Sequence, residues 1–242
     1  MIIALLALAQ SAVLWGGDLP AATSSQPPDY PQSLRRALKS LLDAHAPEST
    51  DPDTLIRLAT LYLDMGDNLF NDTVSRIDAY DEGARIAKRA LDMREDNAEA
   101  HFLYAANLGS AMHLKGVFAS ALGVRDVKAH TAHALQLNKD HAPALHMMGM
   151  LLEELPRLLG GDQAAALDHV QRAVAIAPDF THARLDLAKM YVKRKNLESA
   201  KRELRTIIAM ERPMDYYAWT HREKPEAEDL LRSLDAGKRV AP

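Results

Sequence analysis

Ten histidines in 242 residues are the first candidates for chemistry. His130 and His133 stand three apart, with His141 and His146 further on, and i, i+3 spacing on a helix can set two imidazoles on one metal ion. The surrounding pattern favours a plainer reading. His101 falls at a core position of the repeat described below, His141 falls in a polar turn, and no acidic partner recurs with either. No metal site and no cofactor are therefore expected. Glu153 and Glu154 are adjacent, so on a helix they diverge by about 100° and read as a solvated rim rather than an acid pair. Gly160-Gly161-Asp162 could cradle an anion at a helix start, but Asp162 would repel it, so the run reads as a helix stop and an N-cap. Asp215 to Trp219 (DYYAW) reads as packing for a C-terminal cap. No HExxH, GxSxG, GxGxxG or phosphate-binding Gly–Lys–Ser/Thr run occurs. The absence of cysteine excludes disulfides, thiolate metal ligands and a thiol nucleophile. No catalytic residue is expected, and the chain reads as non-enzymatic.

The elements that carry these residues follow from composition and spacing. The chain holds 40 Ala and 35 Leu, the strongest helix formers, against 11 Gly and 12 Pro, too few for many short strands and turns. Net charge is -4 with no long run of one sign, so a basic nucleic-acid footprint is absent and no nucleic-acid partner is expected. Three segments look alike: ALDMREDNAEAHFLYA from Ala90, ALQLNKDHAPALHMMG from Ala134 and AVAIAPDFTHARLDLA from Ala173. Their leading small residues are 44 and then 39 residues apart, and a further step of 34 reaches Ile207. Each unit is then a pair of antiparallel helices that buries its apolar face only by stacking on its neighbours. Small residues are required where the two helices of a unit cross, which assigns Ala59 to Ala90, Ala105 to Ala134 and Gly149 to Ala173. Between the two helices the spacing from Tyr62 to Gly83, Leu108 to Val127, Leu152 to Ala166 and Tyr191 to Ala200 is 21, 19, 14 and 9 residues. The extra residues, among them Phe70, Val74, Phe118, Leu122, Leu158 and Leu159, extend helices or add turns at one end of the array.

A 34-residue step is the length of a tetratricopeptide repeat, and the chain resembles that family over residues 52–214, with residues 181–214 fitting without a gap. The resemblance implies an all-α superhelical array of about four TPR-like hairpins with capping helices and inter-helix insertions. Two groups of insertion-bearing repeat proteins are similar in more detail. The regulator of microtubule dynamics family is resembled in Ala100-His101-Phe102-Leu103-Tyr104-Ala105, Leu108-Gly109, Leu114-Lys115-Gly116, Lys128-Ala129-His130 and Ala144-Leu145-His146-Met147-Met148-Gly149, over residues 79–210. The T component of tripartite ATP-independent periplasmic transporters is resembled in Leu155-Pro156, Leu159-Gly160-Gly161-Asp162, Leu187-Ala188-Lys189-Met190-Tyr191 and the cap from Ala227 to Leu231. Members of the second group are exported, usually as lipoproteins, and this chain lacks the cysteine such an anchor needs. Neither resemblance supplies catalytic residues, and both imply binding.

Function is expected on the concave face, which in repeats of this type is lined by the first helix of each unit. The fifth positions are Ile56, Phe102, His146 and Leu185, and the ninth are Thr60, Ala106, Met150 and Lys189. This stripe is more apolar than a solvated groove needs, so it binds a protein or peptide partner or is covered by the chain itself. The alternative is a periplasmic transport accessory that binds a small apolar ligand beside a substrate-binding protein. Self-association stays open. Residues 1–31 read as a signal-like apolar segment, Met1 to Leu14, and a proline-rich linker, ahead of a helical domain over residues 32–242. No Lys or Arg precedes Arg35, so the basic start of a signal peptide is missing. The expectation is export, to a periplasm, with a cytoplasmic location as the alternative.

Overall fold

The computed structural model describes residues 29–237, apart from the side chains of Val117, Phe118 and Ala121. The Met1–Leu14 segment and the linker up to residue 28 lie outside the described residues. All regular structure in the described chain is helical. Helix α1 (Ser33–Asp43) precedes four pairs: α2 (Pro52–Asp64) with α3 (Thr73–Met93), α4 (Ala98–Lys115) with α5 (Val117–Leu137), α6 (Ala142–Glu154) with α7 (Gln163–Ile176), and α8 (Thr181–Lys193) with α9 (Leu197–Ile208). The short α10 (Tyr216–Ala218), a π turn (Trp219–Glu223) and α11 (Lys224–Asp235) close the chain. No described helix is long and apolar enough to cross a membrane.

Local chemistry sets the helix starts. Asp51 accepts from the amides of Asp53 and Thr54, with Pro52 in the first turn. Asp72, Asn97, Asp162 and Asn196 cap α3, α4, α7 and α9 in the same way, each worth about 1 kcal/mol. Gly160 sits at φ 83°, in the left-handed region that favours glycine, just before the Asp162 cap.

The small-residue crossings fall where the spacing puts them. Ala59, Ala90, Ala105, Ala134 and Ala173 are fully buried. A Cβ on Gly149 would lie 2.5 Å from Val170 Cγ2 and 2.9 Å from the Ala166 carbonyl oxygen, so α6 and α7 touch through backbone. The inserted residues become a π turn (Met65–Leu69) after α2, a 3-10 turn (Arg157–Leu159) after α6, and added length in α3 and α5, each 21 residues.

Glu153 departs from the rim expected of it. Its carboxylate is buried between Lys193 Nζ at 2.8 Å and Arg194 Nη2 at 2.6 Å, so α8 clamps the end of α6. Adjacent positions on a helix differ by about 100°, and it is Glu153 that faces the next unit.

Ala134→Leu or Ala173→Leu should lower stability by about 1–3 kcal/mol through overpacking. Lys193→Ala should lose about 1–3 kcal/mol because it strips a buried carboxylate of a partner, whereas Glu198→Ala, on an exposed face, should stay within about 0.5 kcal/mol. Denaturant midpoints in which the two alanine variants match Glu198→Ala would overturn the register.

Candidate functional site

The structure brings the expected stripe together and largely buries it. Phe102, Ala106, His146 and Leu185 are buried, as is Thr60. Ile56 and Met150 are half-buried, packed against the two main clusters of the core. Lys189 alone is exposed, and its ammonium lies 2.8 Å from Glu226 Oε1. Phe102 packs against the His141 ring, centroids 5.0 Å apart. The stripe is thus interior along most of its length.

The C-terminal segment does part of the covering. The Trp219 indole donates to the Ile207 carbonyl at 2.8 Å, which seats the π turn on the last unit. Glu223 then lies over the start of α8, where it accepts from the buried Thr181 hydroxyl. Next to it, Arg222 Nη2 donates to Asn68 Oδ1 at 3.0 Å, in the first unit. Tyr217 meets Tyr30 edge-on at 5.3 Å, and the Tyr30 hydroxyl accepts from Asn68 Nδ2 at 2.7 Å. The array therefore curves until residue 222 touches residue 68, with the C-terminal segment between its ends. Of the DYYAW aromatics, Trp219 packs the cap on the last unit, Tyr216 is exposed, and Tyr217 reaches Tyr30 beside the first unit.

Titratable side chains gather under this segment. His146 Nε2 lies 2.9 Å from Asp186 Oδ2, so the imidazole donates its Nε2 proton to the carboxylate. His182 Nε2 lies 3.5 Å from the same oxygen and has no hydrogen-bond partner, while its Nδ1 faces Glu223 Oε1 at 3.7 Å. All four side chains are buried. Burial pulls the His182 pKa down to about 4 against the pull of Asp186. Burial would raise the Asp186 carboxyl, but His182, the His146 hydrogen bond and Lys189 outweigh it and hold the group below the usual carboxylate range. Burial pushes Glu223 up to about 7. At the other end of the segment, burial and the charges of Asp67 and Asp215 push Asp64 well up.

The histidines singled out by spacing divide. His130 and His133 join His101 rather than each other. His101 Nε2 lies 2.9 Å from the Glu95 carbonyl and must donate to it, so its Nδ1 accepts from His130 Nδ1 at 2.8 Å. His133 stacks on His101 with centroids 4.2 Å apart. His141 caps α6 through Nδ1 and pairs with Glu99 at 2.9 Å. Only His146 reaches the inner cluster. Its partners His182 and Asp186, four apart on one helix, were a readable signal that spacing among histidines alone passes over.

Two open surface clefts occur among the described residues. One is lined by residues including His45, Thr54 and Arg57, the other by residues including Arg202, Arg205 and Met210.

Stacked helix pairs with small-residue crossings and capping helices define a tetratricopeptide-like helical-repeat protein. A tetratricopeptide repeat family model matches residues 157–218. The model described as "Regulator of microtubule dynamics protein 1-3" matches residues 27–155, more than half of the chain, and the chain belongs to that family. Regulator of microtubule dynamics protein 1 of Bos taurus is 28% identical over 206 residues, covering 77% of this chain and 63% of the relative. The Pongo abelii protein of the same name is 29% identical over 207 residues, covering 77% and 64%. The chain thus spans less than two thirds of these relatives' length. Among solved structures, a thermophilic TPR protein of Thermus thermophilus superposes with a TM-score of 0.59 at 14% identity, over 85% of this chain and 92% of that one. The transport-accessory reading draws no support from these comparisons.

Phe102→Asp should cost about 3–5 kcal/mol, because it leaves an uncompensated charge in the core. Arg222→Met keeps bulk but strips Asn68 of its donor, and should cost about 1–3 kcal/mol. Thermal melts in which Phe102→Asp matches the parent would mean that the stripe is open to solvent.

Proposed function

We propose that this chain is a non-enzymatic scaffold that binds a protein or peptide partner, and that the contact surface is the edge of the array that carries the inter-helix insertions. The observation that carries this reading is the exposure of large apolar side chains in the insertions. Val74 is 69% exposed, Leu122 71%, Leu158 99% and Leu159 64%. Val74 lies in the first turn of α3, Leu122 lies in the second turn of α5 and Leu158 and Leu159 lie in the 3-10 turn, so each belongs to the insertion-bearing stretch of units one to three. Lys128 Nζ donates to the Gly160 carbonyl at 2.9 Å, which ties α5 to the turn that holds Leu158 and Leu159. Scattered exposed leucines are ordinary, but large apolar side chains exposed in the insertions of successive units are the kind of feature that marks an interaction site. Insertions in repeat proteins commonly map to the binding side. The tetratricopeptide likeness supports protein or peptide binding in general. The partner is one that offers an apolar face, such as an amphipathic helix.

A second reading rests on the C-terminal segment. It covers part of the inner face through the contacts of Glu223 with Thr181 and His182 and of Glu226 with Lys189, and a partner able to displace it would meet that part of the face. Export belongs to the same proposal, motivated by the apolar segment Met1 to Leu14, and N-terminal sequencing of native protein tests it: Met1 or Ile2 recovered from a cytosolic fraction would refute it.

Leu158→Asp with Leu159→Asp should remove crosslinks to the native partner while leaving the melting point unchanged. Arg222→Met should leave those crosslinks in place. If the aspartate pair crosslinks as the parent does and Arg222→Met gains or loses partners, the inner face is the binding surface.

A further inference from the structure

We propose that His146, His182 and Asp186 form a site for one divalent transition-metal ion, of the class that takes imidazole and carboxylate ligands. One ligand atom from each residue lies within 4.8 Å of the other two. Two of the separations, 2.9 Å and 3.5 Å, bracket the roughly 3.3 Å expected between donors about 2.0–2.1 Å from a tetrahedral ion. Two imidazoles and one carboxylate are a donor set that zinc and its neighbours in the first transition row accept.

His182 supplies the second, independent observation. Its Nε2 is buried, without a hydrogen-bond partner, and aimed at Asp186. An imidazole buried for packing alone would find a partner for that nitrogen. Its Nδ1 faces the Glu223 carboxylate, which the Thr181 hydroxyl holds in place. A proton on Nδ1 directed at Glu223 leaves the Nε2 lone pair free for an ion, the carboxylate–imidazole–metal relay common around bound metals. His146 would exchange its Nε2 proton for one on Nδ1 through solvent, so its charge does not change. Lys189 lies 3.6 Å from Asp186 Oδ1 and opposes an ion there, but it is half exposed and already paired with Glu226 at 2.8 Å. It marks the solvent side from which an ion enters. An ion so held joins α6 to α8 and, through Glu223, to the C-terminal segment.

The test uses the full chain without a histidine tag, stripped by a chelator. Zn²⁺ is titrated by calorimetry, and Co²⁺ is followed by its visible spectrum. The expected result is one ion per chain, intense low-coordinate Co²⁺ bands and a raised melting temperature. Glu223→Gln should weaken Zn²⁺ binding about 10–100-fold at unchanged stoichiometry. His182→Gln should abolish binding, and His133→Gln, in the other imidazole cluster, should leave it unchanged. Should His182→Gln fail to fold, Asp186→Asn makes the same comparison. The site is overturned if the parent chain shows no saturable 1:1 binding, if Co²⁺ keeps the spectrum of its aquo-ion, or if binding survives loss of His182 or disappears with His133→Gln.

Discussion

The two ends of the array are joined through one segment, whose Arg222 donates to the Asn68 side chain in the first unit while its Glu223 accepts from Thr181 in the last. Residues 216–224 bring Tyr217 and Trp219 for bulk and Arg222 for charge. The guanidinium spans the gap between the last and first units to reach Asn68 at 3.0 Å. Glu223, one residue on, turns the other way and lies over His182. Two adjacent side chains thus tie the segment to opposite ends of the array, and the buried polar groups of the inner face are arranged around them.

This closure changes where such a protein meets its partners. An open concave face offers a continuous groove, whereas a filled one leaves the edges and the outer face. Here the insertions lengthen α3 and α5 and add the turn at Arg157–Leu159, and they expose large apolar side chains. Along most of its length the inner stripe is packed into the core, with Phe102, Ala106, His146 and Leu185 buried.

Much of the architecture was legible in the sequence because it is local and periodic. The crossings at Ala90, Ala134 and Ala173 repeat, and a helix pair can approach there only with a small residue. The caps at Asp51 and Asp162 announce themselves through Pro52 and the Gly160-Gly161 run. Membership in the regulator of microtubule dynamics family was legible in motifs such as Ala100 to Ala105 and Ala144 to Gly149. The closure was not. Asn68 and Arg222 are 154 residues apart in sequence, and no periodic signal links a π turn in the first unit to a cap after the fourth. The burial of Glu153 is illegible for a related reason, since its partners Lys193 and Arg194 belong to the next unit. The inner cluster was half legible: His182 and Asp186 share a helix face at i, i+4, but His146 joins them only once two units stack.

The C-terminal segment holds the two ends of the array together. The chain has no cysteine, so spin labels can be placed without background sites. Asn71→Cys and Thr220→Cys, both at exposed positions beside the contact, would carry one label each for pulsed electron paramagnetic resonance. The closed groove predicts a single, short and narrow distance distribution that broadens when Arg222→Met is added. A broad distribution centred at long distance in the parent chain, indifferent to that substitution, would contradict it.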